Sequence, residues 1–342
     1  MLRLLTMALA CKNEFGKTVD SWFALKEPGG ADYLYYQPSQ GIVPSPFSMN
    51  DTQHGALSYT VSQLWNSNID YILFNDEATG DEATGDEATG DEATGDEATG
   101  DEATGDEATA YGHAKGIWAW SGPDAFLLTH SIPLFPTGPS DSPAYVGLGP
   151  NAHTYAQTLA CFSLRTADLA TLATQAMLNA PHVYDSRVGP NAPPALRALA
   201  NGTKDKRALC TATSFNTVGS TGFTFFAKSA QWNNELYSAC LAPRIQSGLL
   251  AETWIRGSAT GPACGEYGVL DIQALRFSGN VSFKETQDHS KWAVSTKGSS
   301  VCVADINRMT TQYKRGGGAI CWNDAMLSSV LRGAIMRTDS CD

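Results

Sequence analysis

Apolar residues in this chain fall in short runs bounded by Gly, Pro and Asp more often than at helical spacing. Residues 22–25, 71–74, 117–120 with 125–128, and 222–227 are runs of this kind and predict strands. Spacings of three and four residues predict helices over 154–161, 166–178, 232–241 and 323–337. Strands alternating with helices indicate an α/β architecture. The stretch 188–203, with Gly189-Pro190, Pro193-Pro194 and Asn201-Gly202, is the best junction and divides the chain into halves 1–187 and 204–342. Residues 1–10 hold one Arg and an apolar run too short for a complete signal peptide; the part just before Cys11 is expected to form a first buried strand. No run approaches the roughly 20 apolar residues that span a bilayer.

One segment has no hydrophobic period at all. Residues 76–110 are seven tandem copies of Asp-Glu-Ala-Thr-Gly, the last ending in Ala. Gly at every fifth position opposes a stable helix, so the segment is read as a flexible, solvated loop between two strands. It also distorts the charge balance. The repeat carries 14 of the 35 acidic residues and no Lys or Arg. Without it, 21 acids face 23 bases, a net +2 where the whole chain has −12. The body is therefore slightly basic, and it gains positive charge as its six His protonate in acid. A polyanionic partner is compatible with that body.

Eight cysteines stand at long spacings, and none forms a Cys-x-x-Cys pair. That argues against a zinc ribbon or a thioredoxin-like motif and for structural disulfides formed in an oxidising compartment. Sequons at Asn50, Asn201 and Asn280 are compatible with secretion.

The candidate chemistry lies in two tripeptides, His113-Ala114-Lys115 and His289-Ser290-Lys291, one in each half. On an extended strand, residues i and i+2 project from one face, which sets each imidazole beside its ammonium. An imidazole serves as nucleophile or proton carrier, and an ammonium neutralises phosphate oxygens. Two such pairs in one site supply what phosphodiester cleavage requires without a metal or cofactor. Trp118, Trp120 and Trp292 stand at odd offsets from the His residues and are expected to pack in the core. His54, His153 and His182 have no motif context, and structural or surface roles are expected for them.

The segments Gly112-His113-Ala114-Lys115-Gly116 and Asp288-His289-Ser290-Lys291-Trp292 resemble the two active-site motifs of the deoxyribonuclease II family. Further landmarks follow in the family's order: Val19-Asp20 with Trp22-Phe23, Tyr155 with Gln157-Thr158-Leu159 and Cys161, Phe226-Ala227-Lys228, Leu236-Tyr237-Ser238, and Arg315-Gly316-Gly317-Gly318. His130-Ser131-Ile132-Pro133 with Phe135-Pro136 resembles the family segment after the first motif. The resemblance covers essentially the whole chain apart from the repeat.

It implies a phospholipase D-like α/β fold: two pseudo-symmetric halves, each a mixed sheet flanked by helices, sharing one active site at their interface. It implies a metal-independent acid endonuclease that hydrolyses DNA through a phosphohistidine to 3′-phosphate and 5′-hydroxyl ends. His113, Lys115, His289 and Lys291 would be catalytic, with His113 provisionally the nucleophile and His289 the acid; the near-equivalent motifs leave that choice open. His130, Ser121, Asp305 and Asn307 are supporting candidates. Ser121, with Asp124 nearby, stands where the family keeps an Asp, whereas Asp305-Ile306-Asn307 matches the family's arrangement. The family's disulfides would pair Cys11 with Cys161, Cys264 with Cys341, and Cys302 with Cys321, leaving Cys210 and Cys240 for each other. DNA is the expected partner; no cofactor and no obligate protein partner are expected, and a homodimer is compatible. The location implied is extracytoplasmic: secreted, periplasmic or lysosomal. The alternatives are a phospholipase D-like lipid phosphodiesterase and a secreted DNA-binding or toxin-like homologue with weakened catalysis.

Overall fold

The structure, a computed structural model, describes residues 9–38, 41–76, 111–278 and 281–341. Its strands divide between two sheets. The first holds β1 (Ser21–Lys26), β2 (Tyr33–Gln37), β3 (Gly41–Pro44), β4 (Asp70–Phe74), β5 (Gly116–Ser121), β6 (Asp124–His130), β7 (Gln157–Arg165) and β8 (Val183–Arg187), in the order β3-β2-β1-β7-β6-β5-β4-β8. The second holds β9 (Cys210–Asn216), β10 (Gly222–Lys228), β11 (Leu249–Glu252), β12 (Val269–Arg276), β13 (Ser282–Lys284), β14 (Trp292–Ser295), β15 (Ser300–Ala304) and β16 (Gly317–Asn323), in the order β13-β12-β11-β14-β15-β16-β10-β9. A further strand, β17 (Ile335–Thr338), pairs with β12. The helices are α1 (Ala56–Val61), α2 (Thr166–Ala176), α3 (Pro194–Ala200), α4 (Ala242–Ile245) and α5 (Ala325–Ala334). The mixed α/β class expected from the sequence is the class observed.

One core joins the sheets. Phe23, Phe162 and Leu172 from the first part of the chain share it with Phe223, Val294, Trp322 and Leu327 from the second. α2 packs on β5, β6 and β7 and also on β9 and β10, which places it between the layers. Phe162 stacks on Phe223 at 5.2 Å and meets Trp322 edge-on at 5.3 Å. The Asp20 carboxylate accepts from Thr217 Oγ1 (2.5 Å), Thr221 Oγ1 (2.7 Å) and the Gly219 N–H (2.5 Å), pinning the β9–β10 turn to the start of β1. Separate clusters cover the outer faces: Cys11, Trp22, Leu57 and Phe126 on one sheet, Phe226, Tyr237, Leu241 and Ala293 on the other.

Five strands of one sheet repeat five of the other residue for residue. β1, β7, β6, β5 and β4 match β10, β16, β15, β14 and β11 in order and direction. Lys26 pairs with Gln157 as Lys228 pairs with Gly317, Gly116 with Thr129 as Trp292 with Val303, and Phe74 with Gly116 as Glu252 with Trp292. The equivalent lysines even act alike. Lys26 Nζ donates to the carbonyls of Glu27 (2.6 Å) and Gly30 (2.7 Å), and Lys228 Nζ to those of Gln312 (3.1 Å) and Tyr313 (2.9 Å).

Five expectations about elements need correction. Residues 154–161 are not helical: most of them begin β7, which pairs with β1 and β6 and is buried on both faces, so its apolar run lacks the alternation that marks a half-exposed strand. Within 232–241 a 3₁₀ turn is followed by a π-helical segment, Tyr237–Leu241, rather than one α-helix. The stretch 188–203 contains α3, started by Pro194 at a first-turn position where its missing N–H costs nothing. The predicted helix 323–337 ends at Ala334, where Ile335 leaves to pair with β12. Of residues 1–10, Leu9 and Ala10 are buried but form no strand, and 1–8 lie outside the described residues. The repeat also lies outside them, except for Asp76.

All eight cysteines are bonded: Cys11–Cys161, Cys210–Cys240, Cys264–Cys341 and Cys302–Cys321. Among the described residues no helix is long and apolar enough to cross a membrane. The Cys11–Cys161 bond closes a loop of 150 residues and ties the segment before β1 to the middle of β7. Replacing both by Ala is expected to lower unfolding free energy by about 2–5 kcal/mol. Urea unfolding of the two proteins side by side measures this, and coincident midpoints would refute the structural role assigned to the bond.

Candidate active site

His113 and Lys115 precede β5, and His289 and Lys291 precede β14, the equivalent strand. Each motif is fixed by a backbone bond to the other half of the chain. The His113 N–H donates to Gly316 O at 2.8 Å, and the His289 N–H to Ala156 O at 2.9 Å. Gly316 and Ala156 are themselves equivalent, each one residue before the matched strands β16 and β7. The crossing is tight. A Cβ on Gly112 would stand 1.7 Å from Asn179 O and 2.6 Å from Gly316 O, and one on Gly316 would stand 2.5 Å from Asn179 O. Only glycine lets these backbones approach so closely.

The four motif side chains are buried, with exposures of 4% (His113), 4% (Lys115), 4% (His289) and 3% (Lys291). They share one electrostatic environment: His289 feels Lys291, Lys115 and His113, and Asp305 feels Lys115 and Lys291. Lys291 Nζ donates to His289 O at 3.0 Å.

Around these equivalent motifs the surroundings differ. Asp76, two residues past β4, receives His113 Nδ1 on Oδ2 at 2.6 Å, Arg315 Nη2 on Oδ2 at 2.7 Å, and Lys115 Nζ on Oδ1. Arg315 Nη1 lies 2.9 Å from His113 Nδ1. Burial favours the neutral acid at Asp76, but His113, Lys115 and Arg315 outweigh it and hold the carboxyl well below its ordinary range. Burial also dominates at His113, depressing its pKa strongly; Asp76 opposes the shift and Lys115 and Arg315 reinforce it. A neutral His113 donating Nδ1–H to a carboxylate leaves the lone pair on Nε2, which has no hydrogen-bond partner among the described residues.

At the equivalent places around His289 stand aromatic rings. Trp254, which matches Asp76, meets the His289 ring at 3.7 Å and 69°, and Tyr155, which matches Arg315, stacks on it at 4.3 Å and 3°. Burial again lowers the His289 pKa far below the ordinary value, with Lys291, Lys115, His113 and Arg256 pushing the same way.

The supporting candidates separate. Asp305 accepts the Gly318 N–H at 3.0 Å, and burial pushes its carboxyl up to about 7. Asn307 is buried two residues further on. His130 ends β6 beside Lys115, its N–H on Lys115 O at 3.4 Å and its ring edge-on to Phe135 at 5.3 Å; burial takes its pKa down to about 3. Ser121 is elsewhere. It closes the β5–β6 hairpin at the opposite end of β5 from His113, with Oγ on Asn68 O at 3.1 Å, because it is the last of the six residues of β5. Asp76, Arg315, Tyr155 and Trp254 were not singled out as site residues from the sequence. Asp76 is the first letter of the repeat, and its one distinguishing mark is its place just after a strand.

The family model for deoxyribonuclease II matches residues 10–341. The chain is 31% identical to deoxyribonuclease-2 of Caenorhabditis elegans, over 94% of this chain and 91% of that protein. It is 32% identical to a putative deoxyribonuclease-2 of Burkholderia thailandensis, over 95% and 92% of the two chains. It is 28% identical to human deoxyribonuclease-2-beta, over 97% and 92%.

Asp305 provides a test of this buried electrostatics. Its folded pKa of about 7 exceeds the free value of 3.8, so the folded state holds the proton more tightly than the unfolded chain. The resulting stability is fully present below the free value and is lost as pH rises through the folded one. Asp305→Asn mimics the protonated form and keeps the acceptor for Gly318. The difference in melting temperature, variant minus parent, is expected to grow between pH 4 and 7 and level off above; a difference independent of pH would sink the assignment.

Proposed function

The chain belongs to the deoxyribonuclease II family, and on that premise we propose that His113, Lys115, His289 and Lys291 form one metal-independent site that cuts DNA in acid. The observation that carries this reading is the reciprocal pinning of the two motifs, with a carboxylate seated on the Nδ1 of one His only. A phosphodiester entering between Lys115 and Lys291 would meet His113 Nε2 on one side. Asp76 makes His113 the nucleophile, since a carboxylate on Nδ1–H offsets the positive charge that builds on the ring as Nε2 bonds to phosphorus. As that N–P bond forms, the bond from phosphorus to the 5′ oxygen breaks, and His289 gives its proton to the leaving oxygen. Water then attacks phosphorus, losing its proton to His289, and the N–P bond breaks to leave a 3′-phosphate and a free His113.

His289 must be protonated for the first step, yet in the free protein burial and the cations Lys291, Lys115 and Arg256 oppose that. The phosphodiester supplies the missing term, because its negative charge offsets Lys115 and Lys291 and raises the proton affinity of His289. Low pH and bound substrate therefore act together. The four disulfides fit work outside the reducing cytosol, in a secreted, periplasmic or lysosomal setting. The halves 1–187 and 204–342 act as one catalytic unit in this reading.

Plasmid DNA is expected to be cut at about pH 5 in excess chelator, and strict dependence on an added divalent ion would overturn the mechanism. His113→Ala and His289→Ala should each lower kcat by at least about 10³, and Asp76→Asn by about 10²–10⁴, with folding unchanged by circular dichroism. Full activity in either His variant refutes the shared site. Because kcat/KM reports the free protein and kcat the complex, the alkaline fall of kcat is expected at higher pH than that of kcat/KM; superimposed falls would contradict the charge coupling.

A further inference from the structure

Two cations outside the four-residue site sit on aromatic rings at its two flanks. On the side of the first motif, Lys204 Nζ lies 3.9 Å from the centroid of Tyr111, whose ring also stacks on His182 at 4.3 Å and 28°. Tyr111 is two residues before His113, so at most about 7 Å of backbone separates them. On the side of the second motif, the Arg256 guanidinium lies 3.9 Å from the centroid of Trp254, whose ring in turn meets His289 at 3.7 Å. Both cations belong to anchored segments. The Asp205 N–H donates to Met177 O at 2.9 Å beyond α2, and Arg256 Nη2 donates to Thr286 O at 2.8 Å. Lys204 is half-buried and Arg256 exposed.

A cation resting on a ring has lost much of its rotamer freedom before any ligand arrives, so less entropy remains to be lost when it binds an anion. Structural packing gives no reason for the same device beside both motifs. A polyanionic strand does. Phosphates recur along it about every 3.4 Å of rise, so a strand whose scissile phosphate lies between Lys115 and Lys291 carries further phosphates past both flanks. Apart from the repeat the chain is slightly basic, and these two residues give that charge a position.

We propose that Lys204, seated on Tyr111, and Arg256, seated on Trp254, are phosphate-gripping residues that hold the DNA backbone on either side of the scissile bond. The proposal rests on the reading of the site as a deoxyribonuclease, and binding can be measured without turnover. In the His113→Ala background, affinity for a labelled duplex oligonucleotide is followed by fluorescence anisotropy across salt concentrations at about pH 5. Each of Lys204→Ala and Arg256→Ala is expected to reduce the slope of log K against log salt by about 0.9, and the double variant by about 1.8. Lys297→Ala, an exposed cation at the far end of β14, should leave the slope unchanged. Tyr111→Leu should weaken binding and Tyr111→Phe should not, since only the ring seats the ammonium. In the catalytically intact protein the Lys204 variant should raise KM for DNA with kcat changed less than about twofold. Slopes for Lys204→Ala and Arg256→Ala equal to that of Lys297→Ala would overturn the proposal. Absence of cleavage by the parent with the slopes reduced would instead overturn the catalytic reading.

Discussion

The pair of backbone hydrogen bonds from His113 to Gly316 and from His289 to Ala156 is the constraint on which the rest of the molecule depends. Neither motif is positioned by its own sheet alone. Each N–H is satisfied by a carbonyl about 130 or 200 positions away in sequence, so the site exists only when both sheets are docked. The shared core of Phe162, Phe223 and Trp322 and the Asp20 clamp on the β9–β10 turn hold that docking. The absence of side chains at Gly112 and Gly316 permits it, because a single Cβ at either place would overlap a backbone oxygen.

A repeated scaffold alone would produce two identical half-sites, which suits no reaction that needs a nucleophile and an acid at once. The chain breaks the equivalence at matched positions rather than by altering the motifs. Asp76 faces Trp254 in the match, and Arg315 faces Tyr155; a carboxylate and a guanidinium surround one imidazole, two rings the other. Charged neighbours hold the Nδ1 edge of His113, while rings constrain the plane of His289 and bury it. The asymmetry lies one shell out from the four motif residues.

This arrangement explains what was legible in the sequence and what was not. Strands at 22–25, 71–74, 117–120, 125–128 and 222–227 announce themselves because each is a short apolar run closed by turn residues, and each lies in an observed strand. β7 did not, since a strand buried on both faces loses its alternation. The His-x-Lys pairs are readable because their logic is local, two residues on one strand face. Asp76, Trp254, Tyr155 and Arg315 act across sheets through the strand register, which no local pattern encodes. Asp76 is further hidden because it is identical to the first residue of every copy of the repeat. Ser121 fails for the opposite reason: its offset from the first motif resembles the family's carboxylate position, but a strand of that length carries it to the far end of the sheet.

The charges around the four motif residues also bear on the acid preference proposed for them. Lys115, Lys291 and Arg315 bring three positive charges, and Asp76, held ionised, returns one negative charge. Asp305 adds a second negative charge only above its raised pKa of about 7, and it interacts with both lysines. Below that pH the carboxyl is neutral and the lysines are left with more of their charge for a phosphate. Above it, an ionised Asp305 competes with the substrate for the same two ammonium groups. In the proposed mechanism the protonation that readies His289 to act as an acid and the one that neutralises Asp305 thus run in the same direction. On the proposed mechanism, a site with neutral histidines and a neutral Asp305 in its resting state takes its working charge distribution from the combination of low pH and a phosphodiester, so the substrate itself would complete the electrostatics that cleave it.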